Sequence, residues 1–327
     1  MRIGTIGTGA IVDRMIEAIK RTENVELVAV YSRTAEKAEA FAYKHGVSTW
    51  YTDLDAMMQD DLIDTIYIAS PNSLHFSQAK KALLAKKNVI NEKPFTPTLK
   101  ECDELFDLAE KMGVYIFEAI TTIHLPNYKI VKDHLKDVGD LKMIQCNFSQ
   151  FSSRYDLYKA HKHTNVFDPA FHGGALMDIN VYCIHFVVDL LGKPDFVQYF
   201  ANIGYNGIDT SGTLIMKYPN VLVICTGAKD SSSENAVYLQ GDQGTLRVYG
   251  SSCGQCKHVE FIPPKQDMIG KVDTTVTTPL GIEQDLHMVY ECQDFQYVME
   301  TKNKELYSRW KEETRMVVSI LEKACVY

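Results

Sequence analysis

The chain has 327 residues, 46% of them hydrophobic, so it is long enough for two domains that each bury a core. Its net charge is −8 and the basic residues are scattered among acidic ones, which argues against nucleic acid as a partner. No apolar run approaches the roughly 20 residues of a membrane helix and no signal-peptide pattern is present, so we expect no membrane association and a cytoplasmic location.

Strand and helix patterns alternate through the first part of the chain. The run "RIGTIG" predicts a strand and "AIVDRMIEAIKR" an amphipathic helix, and the alternation continues to "VYIFEAI". Near-continuous apolar strands separated by helices predict a parallel sheet that is covered on both faces. We therefore predict an α/β domain with a doubly wound (Rossmann) sheet over residues 1–121.

A glycine turn joins the first strand to the first helix. Gly7 and Gly9 lack side chains, which permits the tight turn and lets a pyrophosphate approach the positive end of the helix. Val12 holds the third glycine position of the usual pattern, so the alternative is a turn that only packs two elements. The strand, turn and helix context favours dinucleotide binding. The expected contacts come from the turn and the first helical residues: Gly7, Thr8, Gly9, Ala10 and Ile11.

The second predicted strand ends at Ser32 and Arg33, where NAD-specific sites often have an acidic residue for the ribose hydroxyls. Ser32 can donate a hydrogen bond to a 2′-phosphate, and Arg33 can pair with it or stack on adenine. These residues predict NADP(H) in preference to NAD(H). The alternative is that Arg33 is a solvated residue at a strand end.

The pattern changes after residue 121. A helix is predicted at about 127–137, a second after Gly173 and Gly174, and two more near 283–301 and 304–325. Between about 195 and 260, several strands are joined by short turns such as "YPN" and "GDQG", which favours antiparallel pairing. We predict an α+β domain with an open, largely antiparallel sheet over 122–327, and a site in the cleft between the domains.

Cysteines and histidines give no metal pattern. The pair Cys253 and Cys256 has no second pair at a suitable distance and is expected to form a surface turn. His161, His163 and His172 precede a predicted helix in an irregular loop without a carboxylate at ligand spacing. We predict reduced cysteines and no bound metal.

Asp178, Tyr182 and His185 are spaced to lie on one stripe of the helix that follows the glycine pair. From the residues alone, such a stripe is a hydrogen-bonded structural face or part of a catalytic site. The spacing does not decide between the two.

The segments "NEKP" and "GGALMDINVYCIH" are the most specific motifs in the chain. With the first-strand glycines, "SPNSLH" and "EAI", they resemble the Gfo/Idh/MocA oxidoreductases over nearly the whole chain, and "GGALMDINVYC" is especially similar to the dimeric dihydrodiol dehydrogenase branch. The resemblance implies an NAD(P)-dependent dehydrogenase or reductase that transfers hydride between the nicotinamide and a carbinol or carbonyl of a sugar, polyol or cyclic diol. Asn180 stands where many members of the family have glycine.

The same resemblance implies that Lys93 and Tyr182 handle the proton, that Asp178 orients a neighbouring substrate hydroxyl, and that the Lys93-Pro94 bond is cis. A nearby ammonium favours the phenolate form of a tyrosine, which lets Tyr182 act as acid or base. For His185, contact with the substrate and a structural hydrogen bond in the core remain equal alternatives. Further cofactor contacts are expected from residues after the fourth and fifth predicted strands: Ser70, Pro71, Asn72, His75, Glu92 and Lys93.

The alternative function is a non-catalytic NAD(P)-binding sensor or regulator with the same fold. A sensor need not keep Lys93 and Tyr182, so their presence favours an enzyme that acts on a small molecule. The strands between Asp195 and Glu260 have no helix-sized connection to cover both sheet faces. We therefore expect a homodimer formed through the sheet of the second domain.

Overall fold

The computed structural model describes residues 1–264 and 275–325. The chain forms two compact units, each with its own sheet. The first unit contains Met1–Ala119 and Met288–Ser319, and the second contains Ile120–His287 and the chain from Ile320 onward.

The sheet of the first unit is parallel throughout. Its strands are β1 (Arg2–Ile6), β2 (Glu26–Tyr31), β3 (Trp50–Tyr51), β4 (Thr65–Ile68), β5 (Asn88–Glu92) and β6 (Ile116–Ala119). The order across the sheet is β3-β2-β1-β4-β5-β6. This is the strand order of a doubly wound dinucleotide-binding sheet, so the predicted fold class is confirmed for this unit.

Five helices connect these strands, with a short 3-10 turn at Asn72–Leu74. They are α1 (Ala10–Arg21), α2 (Ala35–His45), α3 (Leu54–Met58), α4 (His75–Leu84) and α5 (Leu99–Met112). The helices α2 and α5 end at Gly46 and Gly113, whose φ angles of 74° and 72° suit glycine at a helix C-terminus. Apolar faces of α4 and α5 pack with the strands into one core.

The described part of the second unit contains a mixed sheet of eight strands. They are β7 (Leu141–Ser149), β8 (Phe196–Ile203), β9 (Asp209–Lys217), β10 (Leu222–Ala228), β11 (Ala236–Gly241), β12 (Thr245–Tyr249), β13 (His258–Ile262) and β14 (Thr278–Pro279). The order is β14-β13-β12-β11-β7-β10-β9-β8, and only the pairing of β7 with β10 is parallel among these strands. The prediction of a largely antiparallel sheet is confirmed.

The second unit also contains α6 (Pro126–His134), the short α7 (Tyr155–Lys159) and α8 (Val181–Leu191). By length and composition, Pro169–Leu191 could cross a membrane, but 72% of its most apolar window is buried inside the protein. The apolar character of this stretch therefore reflects packing in a protein core.

The last two helices, α9 (His287–Thr301) and α10 (Lys304–Ala324), lie close to their predicted positions but mostly in the other unit. Phe295 of α9 stacks on Phe117 of β6 with ring centroids 4.7 Å apart. The hydroxyl of Tyr307 accepts a hydrogen bond of 3.3 Å from the N–H of Ile116. The prediction that 122–327 form one domain is therefore corrected, because α9 and most of α10 belong to the first unit. There they pack against β6, the edge strand of the parallel sheet. Both faces of a parallel sheet must be buried.

Candidate functional site

The glycine turn after β1 lies close to the end of β4. Gly7 has a φ of +118°, and a Cβ at this position would lie 2.7 Å from the carbonyl oxygen of Ala69. Any other residue would be strained and would collide with backbone, so the turn requires glycine. Val12, at the third position of the motif, is fully buried.

Gly9 begins α1 without a side-chain cap, and a Cβ there would meet no atom within 4 Å. Thr8 precedes this open position. The N–H groups of Val12 and Asp13 donate to the carbonyl of Gly9, whereas those of Ala10 and Ile11 precede the first helical bonds and lie at the positive end of the helix. Open space next to outward N–H donors fits the pyrophosphate of a dinucleotide.

The end of β2 lies beside this turn, since the N–H of Gly7 donates to the carbonyl of Tyr31 at 3.4 Å. Ser32 is nearly buried, and its N–H donates to the carbonyl of Tyr51 at 3.1 Å. The Arg33 side chain is exposed. The two residues stand where the ribose of a dinucleotide bound at α1 is recognised in such sheets.

The loop after β4 is hydrogen-bonded to the helix that follows it, α4. The Ser70 hydroxyl donates to the Gln78 side-chain oxygen at 2.7 Å. Pro71 precedes the 3-10 turn that begins at Asn72. These residues follow the strand adjacent to β1, so they lie at the carboxyl edge where ligands bind in doubly wound sheets.

His75 joins this loop to the segment after β5. Its ring is buried, with Nε2 3.0 Å from the carbonyl oxygen of Ser70 and Nδ1 3.0 Å from that of Pro94. Burial is the main cause that lowers the pKa of His75, and the hydrogen bonds to the carbonyls of Pro94 and Ser70 act in the opposite direction. Both ring nitrogens face protein backbone, so in this structure His75 holds two site segments together.

Glu92 is the last residue of β5 and directly precedes Lys93. Its carboxyl is buried and accepts a hydrogen bond of 2.6 Å from the Tyr67 hydroxyl. Burial is the main cause that raises the pKa of Glu92 to about 7, and the neighbouring charge of Glu118 acts in the same direction. Glu92 is therefore a buried group that titrates near neutrality.

Lys93 is half-buried, and the Lys93-Pro94 bond is cis, as the family resemblance implied. Side chains from β5 and β6 hydrogen-bond to the backbone of Phe95, two residues after Lys93. The Glu118 carboxylate accepts from the N–H of Phe95 at 3.1 Å, and the Asn91 amide donates to the carbonyl of Phe95 at 2.7 Å. The backbone that carries Lys93 is thus held from several directions.

In the second unit, Asp178 lies in a π-helical segment, Leu176–Asn180, which continues into α8. This differs from the regular helix that the sequence predicted. The carboxylate of Asp209 accepts from the N–H of Leu176 and from the Tyr199 hydroxyl, both at 2.7 Å. These bonds fix the start of the segment, and π-helical turns are frequent at functional sites.

Asp178 forms an ion pair with Lys229, which follows β10. The Lys229 side chain is only 6% exposed, whereas 30% of the Asp178 side chain remains accessible. The sequence reasoning missed Lys229 because it lies 51 residues further along the chain, outside any recognised motif.

Tyr182 lies against the loop of Cys253 and Cys256, which the sequence predicted to be a surface turn. A Cβ at Gly254 would be 2.8 Å from Cδ1 of the Tyr182 ring, and the Phe148 ring lies 5.7 Å from it between centroids. The Thr121 hydroxyl donates to the carbonyl of Gly254 at 2.7 Å. Glycine at position 254 therefore lets a fixed loop approach the tyrosine ring closely.

His185 is fully buried in α8, which supports its structural role over a contact with substrate. Asn180 is also fully buried, and its amide donates to the carbonyl of Cys225 at 3.0 Å. A Cβ at Gly227 would lie 2.9 Å from the Cβ of Asn180. The close approach of helix and strand is therefore provided by a glycine on the strand.

Cys253 and Cys256 are both buried, so the expectation of a surface turn is wrong. Their loop packs under the helix of Tyr182, with Sγ of Cys253 3.6 Å from Sγ of Cys183. All eight cysteines are reduced. Within the described ranges 1–264 and 275–325, no group of three His, Cys, Asp or Glu residues could hold a metal ion.

Comparison with known proteins gives a consistent result for both units. Residues 1–119 match the oxidoreductase family with an NAD-binding Rossmann fold, and residues 132–251 match the GFO/IDH/MocA C-terminal domain. The scyllo-inositol 2-dehydrogenase (NADP(+)) IolU of Bacillus subtilis is 39% identical over 248 residues, which are 76% of this chain and 76% of IolU.

More distant relatives cover nearly the whole chain. The trans-1,2-dihydrobenzene-1,2-diol dehydrogenase of Xenopus tropicalis is 26% identical over 98% of this chain and 96% of its own. The crystal structure of KijD10, a 3-ketoreductase from Actinomadura kijaniata in complex with NADP and TDP-benzene, has a TM-score of 0.86 at 21% identity. This match covers 99% of this chain and 96% of KijD10, and it shows a shared fold.

Proposed function

This chain belongs to the Gfo/Idh/MocA family of NAD(P)-binding oxidoreductases, and we propose that it interconverts a carbinol and a carbonyl on a sugar, polyol or cyclic diol. Lys93 and Tyr182 are the proposed proton-handling pair. The observation that carries the proposal is the segment after β5, where buried side chains hold the backbone on which Lys93 stands. Such support is typical of a side chain whose position matters for chemistry.

The first unit provides the proposed cofactor site. N–H groups at the start of α1 bind the pyrophosphate, Ser32 donates to the 2′-phosphate, and the exposed Arg33 guanidinium pairs with it. We therefore propose NADP(H) in preference to NAD(H), a choice supported by the NADP named for IolU and for the KijD10 complex. When bound, the nicotinamide supplies or accepts the hydride.

The proposed chemistry needs one proton for each hydride transferred. In the reducing direction, Tyr182 gives its phenolic proton to the oxygen that becomes the alcohol, and in the oxidising direction it takes that proton back. The Lys93 ammonium donates a hydrogen bond to the same oxygen and stabilises its negative charge. Asp178 accepts a hydrogen bond from a neighbouring substrate hydroxyl and so orients the substrate.

Turnover of a substrate panel tests this proposal. Inositols, sugars and dicarbonyl compounds are assayed with both nicotinamide cofactors, and formation or loss of the reduced nicotinamide is followed by absorbance. We expect turnover of at least one carbinol or carbonyl, faster with NADP(H). Tight NADPH binding without turnover of any compound would instead favour the non-catalytic sensor.

A further inference from the structure

Lys229 is a buried cation fixed at the end of a strand. It directly follows β10, its N–H donates to the carbonyl of Thr210 at 2.9 Å, and its carbonyl accepts from the N–H of Ser152 at 2.8 Å. Bonds on both sides of the residue hold its backbone. The direction of the side chain is therefore set by the sheet and by the loop at Ser152.

The Lys229 ammonium has two partners in the second unit. It donates to Oδ2 of Asp178, and it lies over the buried Phe167 ring, 5.6 Å from the centroid. A buried charge is stable only when it is paired, so the ion pair with Lys229 restricts the rotamer of the Asp178 carboxylate. The aromatic face contributes further stabilisation of the cation.

An ionised carboxylate only accepts hydrogen bonds. Asp178 is partly accessible, and it lies in the helical run that leads to Tyr182. We propose that Lys229 is a positioning residue that holds the Asp178 carboxylate where it accepts a hydrogen bond from a second hydroxyl of the substrate. The hydroxyl beside the reacting carbinol is the donor. This inference rests on the proposed function and adds a positioning residue to its substrate site.

The experiment compares trans-1,2-cyclohexanediol with cyclohexanol, which lacks the second hydroxyl, in NADP-dependent oxidation. A site built to hydrogen-bond a hydroxyl discriminates strongly against its absence, so we expect the wild type to favour the diol by at least about 100-fold in kcat/KM. Lys229→Met should lower this preference to below about 10-fold, mainly by raising KM for the diol. Lys229→Arg, which keeps the charge, should retain most of the preference.

The chain offers a matched control in Lys132→Met. Lys132 pairs with the buried Asp189 of α8 at 2.7 Å and lies over the Tyr128 ring, 5.9 Å from its centroid. This variant loses the same kind of ion pair, so it should lower stability yet keep the diol preference.

An unchanged diol preference in folded Lys229→Met, or an equal loss in Lys132→Met, would overturn the inference while leaving hydride transfer intact. Failure of the wild type to oxidise any carbinol would overturn the proposed function, and the inference with it.

Discussion

Buried polar side chains hold the segment that carries Lys93. The backbone groups of residues 94 and 95 bond to three such side chains, those of His75, Asn91 and Glu118. The motif around Lys93 could be recognised in the sequence because its residues are contiguous. The supporting residues are distributed over other elements, and only the fold brings them to this segment.

Ser32→Asp tests the proposed cofactor preference. A carboxylate at this position repels a 2′-phosphate and accepts hydrogen bonds from ribose hydroxyls, so we expect the preference to move from NADP(H) towards NAD(H) by at least about tenfold. Dissociation constants for NADPH and NADH, measured by fluorescence titration of wild type and variant, give the result. Tighter binding of NADH than NADPH by the wild type would refute the role assigned to Arg33.

The raised pKa of Glu92 predicts that the free energy of unfolding depends on pH. Burial raises its pKa from 4.5 to about 7 in the folded protein, so its contribution to stability is complete below pH 4.5 and is lost as the pH rises to about 7. A shift of this size corresponds to a loss of up to about 3 kcal/mol in the free energy of unfolding across that window. Glu92→Gln should remove this loss.

Urea titrations at a series of pH values measure the effect. The difference in free energy of unfolding between Glu92→Gln and wild type should move in favour of the variant as the pH rises. The exposed Glu110 of α5 provides the control, because Glu110→Gln should follow the wild-type curve. Parallel curves for Glu92→Gln and wild type would contradict the assignment.

At the scale of elements, the helix with Asp178 and Tyr182 shows the limits of periodicity. The spacing correctly predicted a helix, but not that its first turn is π-helical or that Asp209 of β9 bonds to the start of that turn. The loop at Gly254 was likewise read as a surface turn because its contact with Tyr182 joins residues 72 positions apart.

Gly254→Ala tests whether this loop positions the tyrosine. The new Cβ would lie 2.8 Å from the Tyr182 ring, so the ring or the loop must move. We expect kcat to fall by about tenfold, as for a small misplacement of a catalytic group, while NADPH affinity is unchanged. Ser252→Ala in the same loop serves as the control. Equal kcat values for Gly254→Ala and wild type would show that the loop does not position Tyr182.

At the scale of the whole molecule, each sheet type could be predicted because strand connections are local in sequence. The surface against which the C-terminal helices pack could not be predicted. An amphipathic pattern shows that one face of a helix is buried, but not which surface it contacts. Aromatic stacking of Phe295 on Phe117 reveals that partner in the structure.

The exposed face of the second sheet supports the proposed homodimer. Phe196 and Phe200 of β8 are 51% and 53% exposed, and Leu222 of β10 lies on the same face in the strand register. Large apolar side chains exposed on one sheet face are typical of a surface that a partner covers. We expect a dimer by light scattering at micromolar concentration, and a shift to monomer in Phe200→Lys. Strictly monomeric wild type would contradict the proposal.

The central claim is that Tyr182 transfers the proton in hydride transfer with Lys93. Tyr182→Phe removes only the hydroxyl, so NADPH affinity should equal that of the wild type while kcat falls by about 10² to 10⁴, the usual contribution of a general acid. Lys93→Ala should lower kcat at least as much. The most direct measurement is kcat of Tyr182→Phe on the best substrate of the panel, with NADPH affinity determined on the same preparation. Turnover near the wild-type value would contradict the account, because the proton would then come from another group.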